Sequence, residues 1–229
     1  MTAQNAIHNP ASCAVILVAA GSGQRLGGSV PKAFQSIAGR TLLEHAAERF
    51  LTHPLVGRLY VVAPSTHLEQ AGGLTSTTAV PGGATRQASV SAGLAALAPE
   101  IELVLVHDVA RPFVPHEVIT SVITALLDGA DAAVPVVPIH DTVRRVDEAG
   151  HFTGIVDRSQ LVAVQTPQGF RRSVLVAAHE AGRSLQVTDD AALVEAAGGK
   201  VVAVSGSDAA FKITRPWDLA VAEAVAVRA

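Results

Sequence analysis

Two cations, Arg25 and Lys32, stand seven positions apart in the stretch LVAAGSGQRLGGSVPKAF (residues 17–34), which continues the apolar run at residues 13–20. That run reads as a buried parallel strand, so the loop after it lies where α/β proteins keep their ligands. Glycines let a backbone approach a phosphate closely, and fixed cations neutralise its charge. The spelling departs from both common nucleotide loops. A G-x-G-x-x-G turn needs glycine at 26, where Leu26 stands, and a Walker loop ends in Gly-Lys-Ser/Thr, whereas Lys32 follows Pro31. What remains, two glycines at 21 and 23 and two cations, suits a triphosphate.

Three further clusters fall in loops or at strand ends. In GGATRQASV (residues 82–90) two glycines lead into a predicted helix with hydroxyls at Thr85 and Ser89. Its first turn can take an anion or a base edge, or serve as an ordinary turn and cap. In VHDVARPFV (residues 106–114) Asp108 ends an apolar strand and Arg111 follows three residues later. That carboxylate either holds Mg²⁺, which needs few protein ligands, or pairs locally with Arg111. His107 beside it reads as packed or hydrogen-bonded. The last cluster is dispersed over HDTVRR, VDRSQ, VQTPQGF and AFKITRPWDL. Taken singly, Thr142, Arg158, Thr166 and Lys212 read as surface residues; together they suggest a second phosphate site. A G-x-S-x-G elbow, an H-E-x-x-H helix and paired Cys or His at ligand spacing are all absent from the sequence.

The elements that must position these residues follow from pattern and composition. The chain has 229 residues, 49% apolar and 16% charged, which fits one α/β domain with a sheet buried on both faces. A net charge of −3 predicts neither nucleic-acid nor membrane attraction, so phosphate binding must come from a few placed cations. Cys13, the single cysteine, offers no disulfide or thiolate cluster and reads as a small buried hydrophobe. The first residues, MTAQNAIHNPAS, lack the basic and apolar regions of a signal peptide, so a cytoplasmic protein is expected.

TLLEHAAERFL is apolar at 42, 43, 46, 47, 50 and 51, with Thr41 and Glu44 spaced as a capping box, and predicts an amphipathic helix. RLYVVAP, ELVLVHD, DAAVPVV and KVVAVSG read as strands; TRQASVSAGLAAL, HEVITSVITALL, RRSVLVAAHEAG, DDAALVEAAG and RPWDLAVAEAVA read as helices. The alternation predicts a mostly parallel sheet with helices on both faces. Residues 138–166 break the pattern with short β-like runs and a polar turn at residues 148–150, and predict a projecting β-arm. A lone two-stranded ribbon is marginal in water, so the arm implies a second subunit against which it packs.

Together, LVAAGSGQRLGGSVPKAF, GGATRQASV, VHDVARPFV, HDTVRRV, VQTPQGF, TDDAALVE and KITRPWDL, in this order across nearly the whole chain, resemble the 2-C-methyl-D-erythritol 4-phosphate cytidylyltransferases of the non-mevalonate isoprenoid pathway. The resemblance implies a Rossmann-like nucleotidyltransferase fold, a homodimer clasped by the arm, CTP as co-substrate and Mg²⁺ as metal. It implies that Ala19, Ala20, Gly21, Gly23, Gly83 and Ser89 surround the cytidine and its phosphates, and that Arg25 and Lys32 carry catalysis. Asp108 would hold the metal. Arg111, Thr142, Arg158, Thr166 and Lys212 would meet the methylerythritol phosphate or nearby phosphates, with Lys212 also counted at the nucleotide and Arg158 reaching across the dimer. The chain departs from many relatives at Ala88, where they carry an acidic residue. A ribitol 5-phosphate cytidylyltransferase and a catalytically silent nucleotide sensor are the competing readings; a dinucleotide-binding oxidoreductase is disfavoured by Leu26 and by cations that hydride transfer does not need.

Overall fold

The computed structural model describes residues 9–21 and 30–227. Its first strand, β1 (Cys13–Val18), carries apolar residues at every position, and they divide between two cores. Val15 and Leu17 face one side of the sheet, Ala14 and Ile16 the other, as expected of a strand covered by helices on both faces. After β1 come the small ribbon β2 (Ser36–Ile37) and β3 (Arg40–Thr41), then helix α1 (Leu42–Leu51), strand β4 (Arg58–Ala63), helix α2 (Leu68–Gly72) and strand β5 (Thr77–Pro81). The expected capping box starts α1: Glu44 N–H donates to Thr41 Oγ1 at 3.1 Å, and Thr41 N–H donates to Glu44 Oε2 at 2.6 Å. Such a cap contributes about 1 kcal/mol. The helix buries Leu42, Leu43, Ala46, Ala47 and Phe50, the stripe its sequence period indicated.

Helix α3 (Arg86–Ala96), strand β6 (Leu103–Asp108), helix α4 (His116–Leu127) and strand β7 (Ala132–Pro138) continue the alternation. The chain then forms the ribbon β8 (Arg144–Val146) and β9 (Phe152–Ile155), strands β10 (Val162–Val164) and β11 (Gln168–Arg171), helices α5 (Arg172–Ala181) and α6 (Ala191–Ala196), strand β12 (Val201–Ser205) and helix α7 (Pro216–Ala226). The main sheet runs β10-β7-β11-β6-β1-β4-β5, with β12 beside β7. β1, β4, β5 and β6 pair in parallel, as does β12 with β7. The antiparallel pairs are β11 with β6 and β7, and β10 with β7. The sheet is therefore mixed and mostly parallel. Two helical layers cover it: α1 and α4 pack on one core, with Phe50, Ile119 and Ile123 fully buried, and α3, α5 and α6 on the other, with Val90, Leu175 and Val194. Each such side chain contributes roughly 1.5–3 kcal/mol of burial.

Two departures from the sequence reading concern the arm. The hairpin occupies β8 and β9, a shorter span than 138–166, while β10 returns to the main sheet and pairs through Val162–Pro138, Ala163–Val137 and Val164–Val136. LVAV alternates no differently from a hairpin strand, and its partner is chosen by the tertiary structure. The hairpin presents Val146, Phe152 and Ile155 to solvent, each more than half exposed, with the Arg144 guanidinium 4.5 Å from the Phe152 ring centroid. Strands β5 and β11, the β2–β3 ribbon and helix α2 were not anticipated, since each is five residues or fewer and lacks a clear period.

Candidate active site

Strands β1 and β6 lie side by side, and their last residues, Val18 and Asp108, are register partners. The chain leaves the sheet at both points. Ala19 N–H still donates to Val62 O at 2.8 Å, so Ala19, Ala20 and Gly21 pass over the sheet edge before the chain returns through the turn at Lys32–Phe34. A cavity of about 430 Å³ opens at this edge, walled by Ala19, Ala20, Gly21, Lys32, Gly83, Thr85, Arg86, Ser89, Asp108 and Lys212 among others. It lies at the carboxyl ends of the strands, where the fold class places ligands.

The opposite wall is the loop from β5 into α3. Gly82 is required there: a Cβ on it would stand 2.4 Å from that of Ala20, closer than packed carbons allow. Thr85 caps α3 by accepting Ala88 N–H at 3.0 Å. Ser89, buried, donates its hydroxyl to Thr85 O at 2.9 Å and accepts Gly83 N–H at 3.1 Å, so it shapes the loop that turns the helix N-terminus toward the cavity. A helix N-terminus carries partial positive charge and favours anions.

Asp108 is the cavity's carboxylate, and three cations share the wall with it: Lys32, Arg86 and Lys212. Lys212 Nζ stands 2.6 Å from Asp108 Oδ2, and Arg86 Nε 3.4 Å from Oδ1. The Lys212 segment is carried over the end of β6 by Ile213 N–H donating to Ala110 O at 2.9 Å and by Arg111 Nη1 donating to Ala210 O at 2.7 Å. Burial pushes the Asp108 carboxyl up, but Arg86 and Lys212 outweigh it and hold the group well below the usual carboxylate range. Arg86 likewise loses to burial and gains more from Asp190 and Asp108, so its pKa is raised.

Beneath the carboxylate runs a chain of hydrogen bonds. Asp108 N–H donates to Thr166 Oγ1, which lies 3.1 Å from His107 Nδ1, and His107 Nε2 lies 3.0 Å from Arg111 O. A carbonyl can only accept, so the proton sits on Nε2 and the Thr166 hydroxyl donates to Nδ1. Burial is the largest influence on this imidazole and pushes its pKa down to about 4. His107 is thus a neutral structural base, packed edge-on against Phe50 with ring centroids 4.8 Å apart.

The local ion pair between Asp108 and Arg111 does not form. Arg111 instead donates to the carbonyls of Ala210 and Val164, and its Nε is the buried side-chain atom among the described residues with no hydrogen-bond partner. Thr142 and Arg158 are exposed on the connections around the hairpin and do not line the cavity; Arg158 Nη1 donates to His140 O. Gly23 and Arg25 lie outside the described residues. Among the described residues there is no group of three or more His, Cys, Asp or Glu able to hold a metal, and no helix long and apolar enough to cross a membrane.

A sequence profile of the 2-C-methyl-D-erythritol 4-phosphate cytidylyltransferases matches residues 13–228. The chain belongs to that family. The Streptomyces avermitilis enzyme of the same name is 45% identical over 233 residues, covering 95% of this chain and 93% of that one. A bifunctional IspD/IspF enzyme of Clavibacter michiganensis is 46% identical over 93% of this chain, which spans only 54% of that longer protein. The crystal structure of the 2-C-methyl-D-erythritol 4-phosphate cytidylyltransferase from Thermus thermophilus superposes with a TM-score of 0.78 at 39% identity, over 93% of this chain and 98% of that one. Within this member of the family the sequence reading missed Arg86 and its second partner, Asp190, whose Oδ2 lies 2.6 Å from Arg86 Nη1. TDDAALVE carries the family resemblance as a string, but nothing in it announces a partner 104 residues away.

Proposed function

We propose that this chain, acting as one domain, transfers the cytidylyl group of CTP to 2-C-methyl-D-erythritol 4-phosphate and releases pyrophosphate. The observation that carries the reading is the set of three cations, Lys32, Arg86 and Lys212, around a single carboxylate, Asp108, at the ends of β1 and β6. A wall with that balance suits a polyanion bound with one divalent ion.

A phosphate oxygen of the acceptor attacks the α-phosphorus of CTP in line. The new P–O bond forms as the bond to the bridging oxygen breaks, and its electron pair leaves with pyrophosphate. Such a reaction needs positioning and charge stabilisation and no covalent intermediate. Lys32 and Arg25 neutralise charge that grows on the α-phosphate; the part of Arg25 rests on the sequence resemblance. Ala19, Ala20, Gly21, Gly23, Gly83, Ser89 and Lys212 surround the nucleotide, with Ser89 acting through the loop it braces. Arg111, Thr142, Arg158 and Thr166 serve the acceptor. The orphaned Nε of Arg111 supports its share in that task, whereas Thr166 acts chiefly by holding Asp108.

Mg²⁺ fits the donor set, because one carboxylate is enough when phosphate oxygens and water fill the other positions; Asp108 would hold it, and it would supply further neutralisation of the triphosphate. Thr142 and Arg158 are exposed and do not line the cavity of their own chain, and the hairpin beside them presents Val146, Phe152 and Ile155 to solvent. Both facts support a homodimer in which the arm reaches the neighbouring cavity; the enzyme is read as cytoplasmic from the character of its first residues alone.

Mg²⁺-dependent pyrophosphate release from CTP, run with methylerythritol phosphate and with ribitol 5-phosphate, tests the assignment. Release with the first acceptor alone, and a Lys32→Ala rate lower on the order of 100-fold, is expected. Preference for ribitol phosphate overturns the acceptor, and no release with either overturns the activity. A monomer by sedimentation would remove the dimer.

A further inference from the structure

Behind Arg86 the polar contacts continue away from the cavity. Asp190, 1% exposed, gives Oδ2 to Arg86 Nη1 at 2.6 Å and Oδ1 to His179 Nε2 at 2.9 Å. His179, on α5 and also buried, has its Nδ1 2.9 Å from Ser91 Oγ. Ser91 and Arg86 both belong to α3, so the relay starts and ends on the same helix. Neither Asp190 nor His179 lines the cavity. The backbone carrying Asp190 is pinned in turn: Gln168, fully buried, donates to Asp189 Oδ2 at 2.9 Å and accepts Ala191 N–H at 3.3 Å.

Two carboxylates thus compete for one guanidinium. An arginine with a single carboxylate partner frequently forms a bidentate fork, with bonds of roughly 2.7–2.9 Å. Here Asp190 takes the short contact, and Asp108 is left with one long contact of 3.4 Å through Nε. Asp190 cannot rotate toward another partner, because His179 occupies its second oxygen and Ser91 fixes the ring. Lys212 Nζ stands 2.6 Å from Asp108 Oδ2, so Oδ1, with its one long contact to Arg86, is the less engaged oxygen. We propose that Asp190 and His179 are positioning residues which hold Arg86 back from Asp108 Oδ1, so that this oxygen stays open to the divalent ion that accompanies the nucleotide. The inference rests on the reading of Asp108 as the metal-bearing carboxylate. Without the relay, Arg86 closes on Oδ1, the oxygen that Lys212 leaves open, and competes with the cation directly. A stapling role alone, joining α5 and α6 to α3, predicts lost stability and no change in metal response.

The full chain is compared with Asp190→Asn, His179→Leu and His179→Gln, the last keeping a donor where Nε2 lies. Initial rates are followed against Mg²⁺ at saturating CTP and acceptor. Separately, Mn²⁺ bound in the presence of CTP without acceptor is counted by electron paramagnetic resonance. Loss of a residue that orients a metal ligand costs about 10-fold or more in metal affinity. Asp190→Asn and His179→Leu are therefore expected to raise the Mg²⁺ activation constant about 10-fold and weaken Mn²⁺ binding in parallel, with the acceptor KM unchanged and His179→Gln close to the parent. Parent-like Mg²⁺ response and Mn²⁺ binding in Asp190→Asn, whether or not its melting temperature falls, overturn the proposal. Should His179→Leu fail to fold, the near-isosteric Asp190→Asn decides. A parent protein that binds Mn²⁺ with CTP yet releases no pyrophosphate defeats the functional reading instead and leaves the relay testable by resonance alone.

Discussion

Thr166→Val removes one hydroxyl and little volume from a residue only 5% exposed. That hydroxyl accepts Asp108 N–H at 3.1 Å and serves His107 Nδ1 at 3.1 Å, so valine leaves a buried donor and a buried acceptor unmatched. The imidazole cannot recover by changing tautomer, because its Nε2 proton is held by Arg111 O at 3.0 Å. Each unmatched buried group costs about 1–3 kcal/mol, and a loss of about 2–4 kcal/mol is expected for the pair. In a protein of this size that corresponds to a fall in Tm of roughly 5–15 °C. Thr166→Ser keeps the hydroxyl and gives up one methyl, worth about 1 kcal/mol. Urea unfolding followed by circular dichroism therefore orders the variants with serine above valine, although valine preserves the shape. If Thr166→Val lies within about 0.5 kcal/mol of the parent, or above Thr166→Ser, the chain from Asp108 to Arg111 does not hold the strand end as described.

The buried imidazole predicts a pH dependence of stability. His107 has its pKa lowered to about 4, against about 6.5 in an unfolded chain, so the unfolded state binds the extra proton first. Its contribution is complete above pH 6.5 and falls as the pH drops through that window, by about 2 kcal/mol between pH 7 and 5. The Asp108 carboxyl, held low by its cations, adds its own loss only at more acid pH. Urea midpoints at pH 7 and 5 that coincide in the parent would falsify this, and His107→Gln should flatten the difference. Gly93→Ala tests the packing of α3: the added Cβ would meet Ile16 Cγ2 at 2.8 Å and Val62 Cγ2 at 3.1 Å. Overpacking of about 1–3 kcal/mol should exceed the gain of up to about 1 kcal/mol in helix propensity, and an unchanged or raised urea midpoint would refute that balance.

Much of the site was legible because α/β proteins gather ligands where chain order can be read. Strand β1 and its loop, the glycines that open α3, and strand β6 ending at Asp108 come in that order along the chain, and each loop leaves the same edge of the sheet. Arg111 shows where spacing misleads. Three residues from Asp108, it is turned away by the tight turn in which its N–H donates to Asp108 O at 2.9 Å, and its guanidinium finds carbonyls of Ala210 and Val164.

Local features can be read along the chain: α1 with its capping box, apolar strands destined for a doubly covered sheet, the loop cations and the carboxylate at the end of β6. Periodicity and caps act within a few residues, so a linear reading can see them. Long-range packing selects the antiparallel entry of β11 between β6 and β7, the return of β10 from the arm to the sheet, and the sharing of Arg86 by Asp108 and Asp190. Those outcomes rest on ladder pairing and charge contacts between residues 22 to 104 positions apart. Such contacts leave no period in the chain, because the energy that selects them exists only once the partners have been brought together.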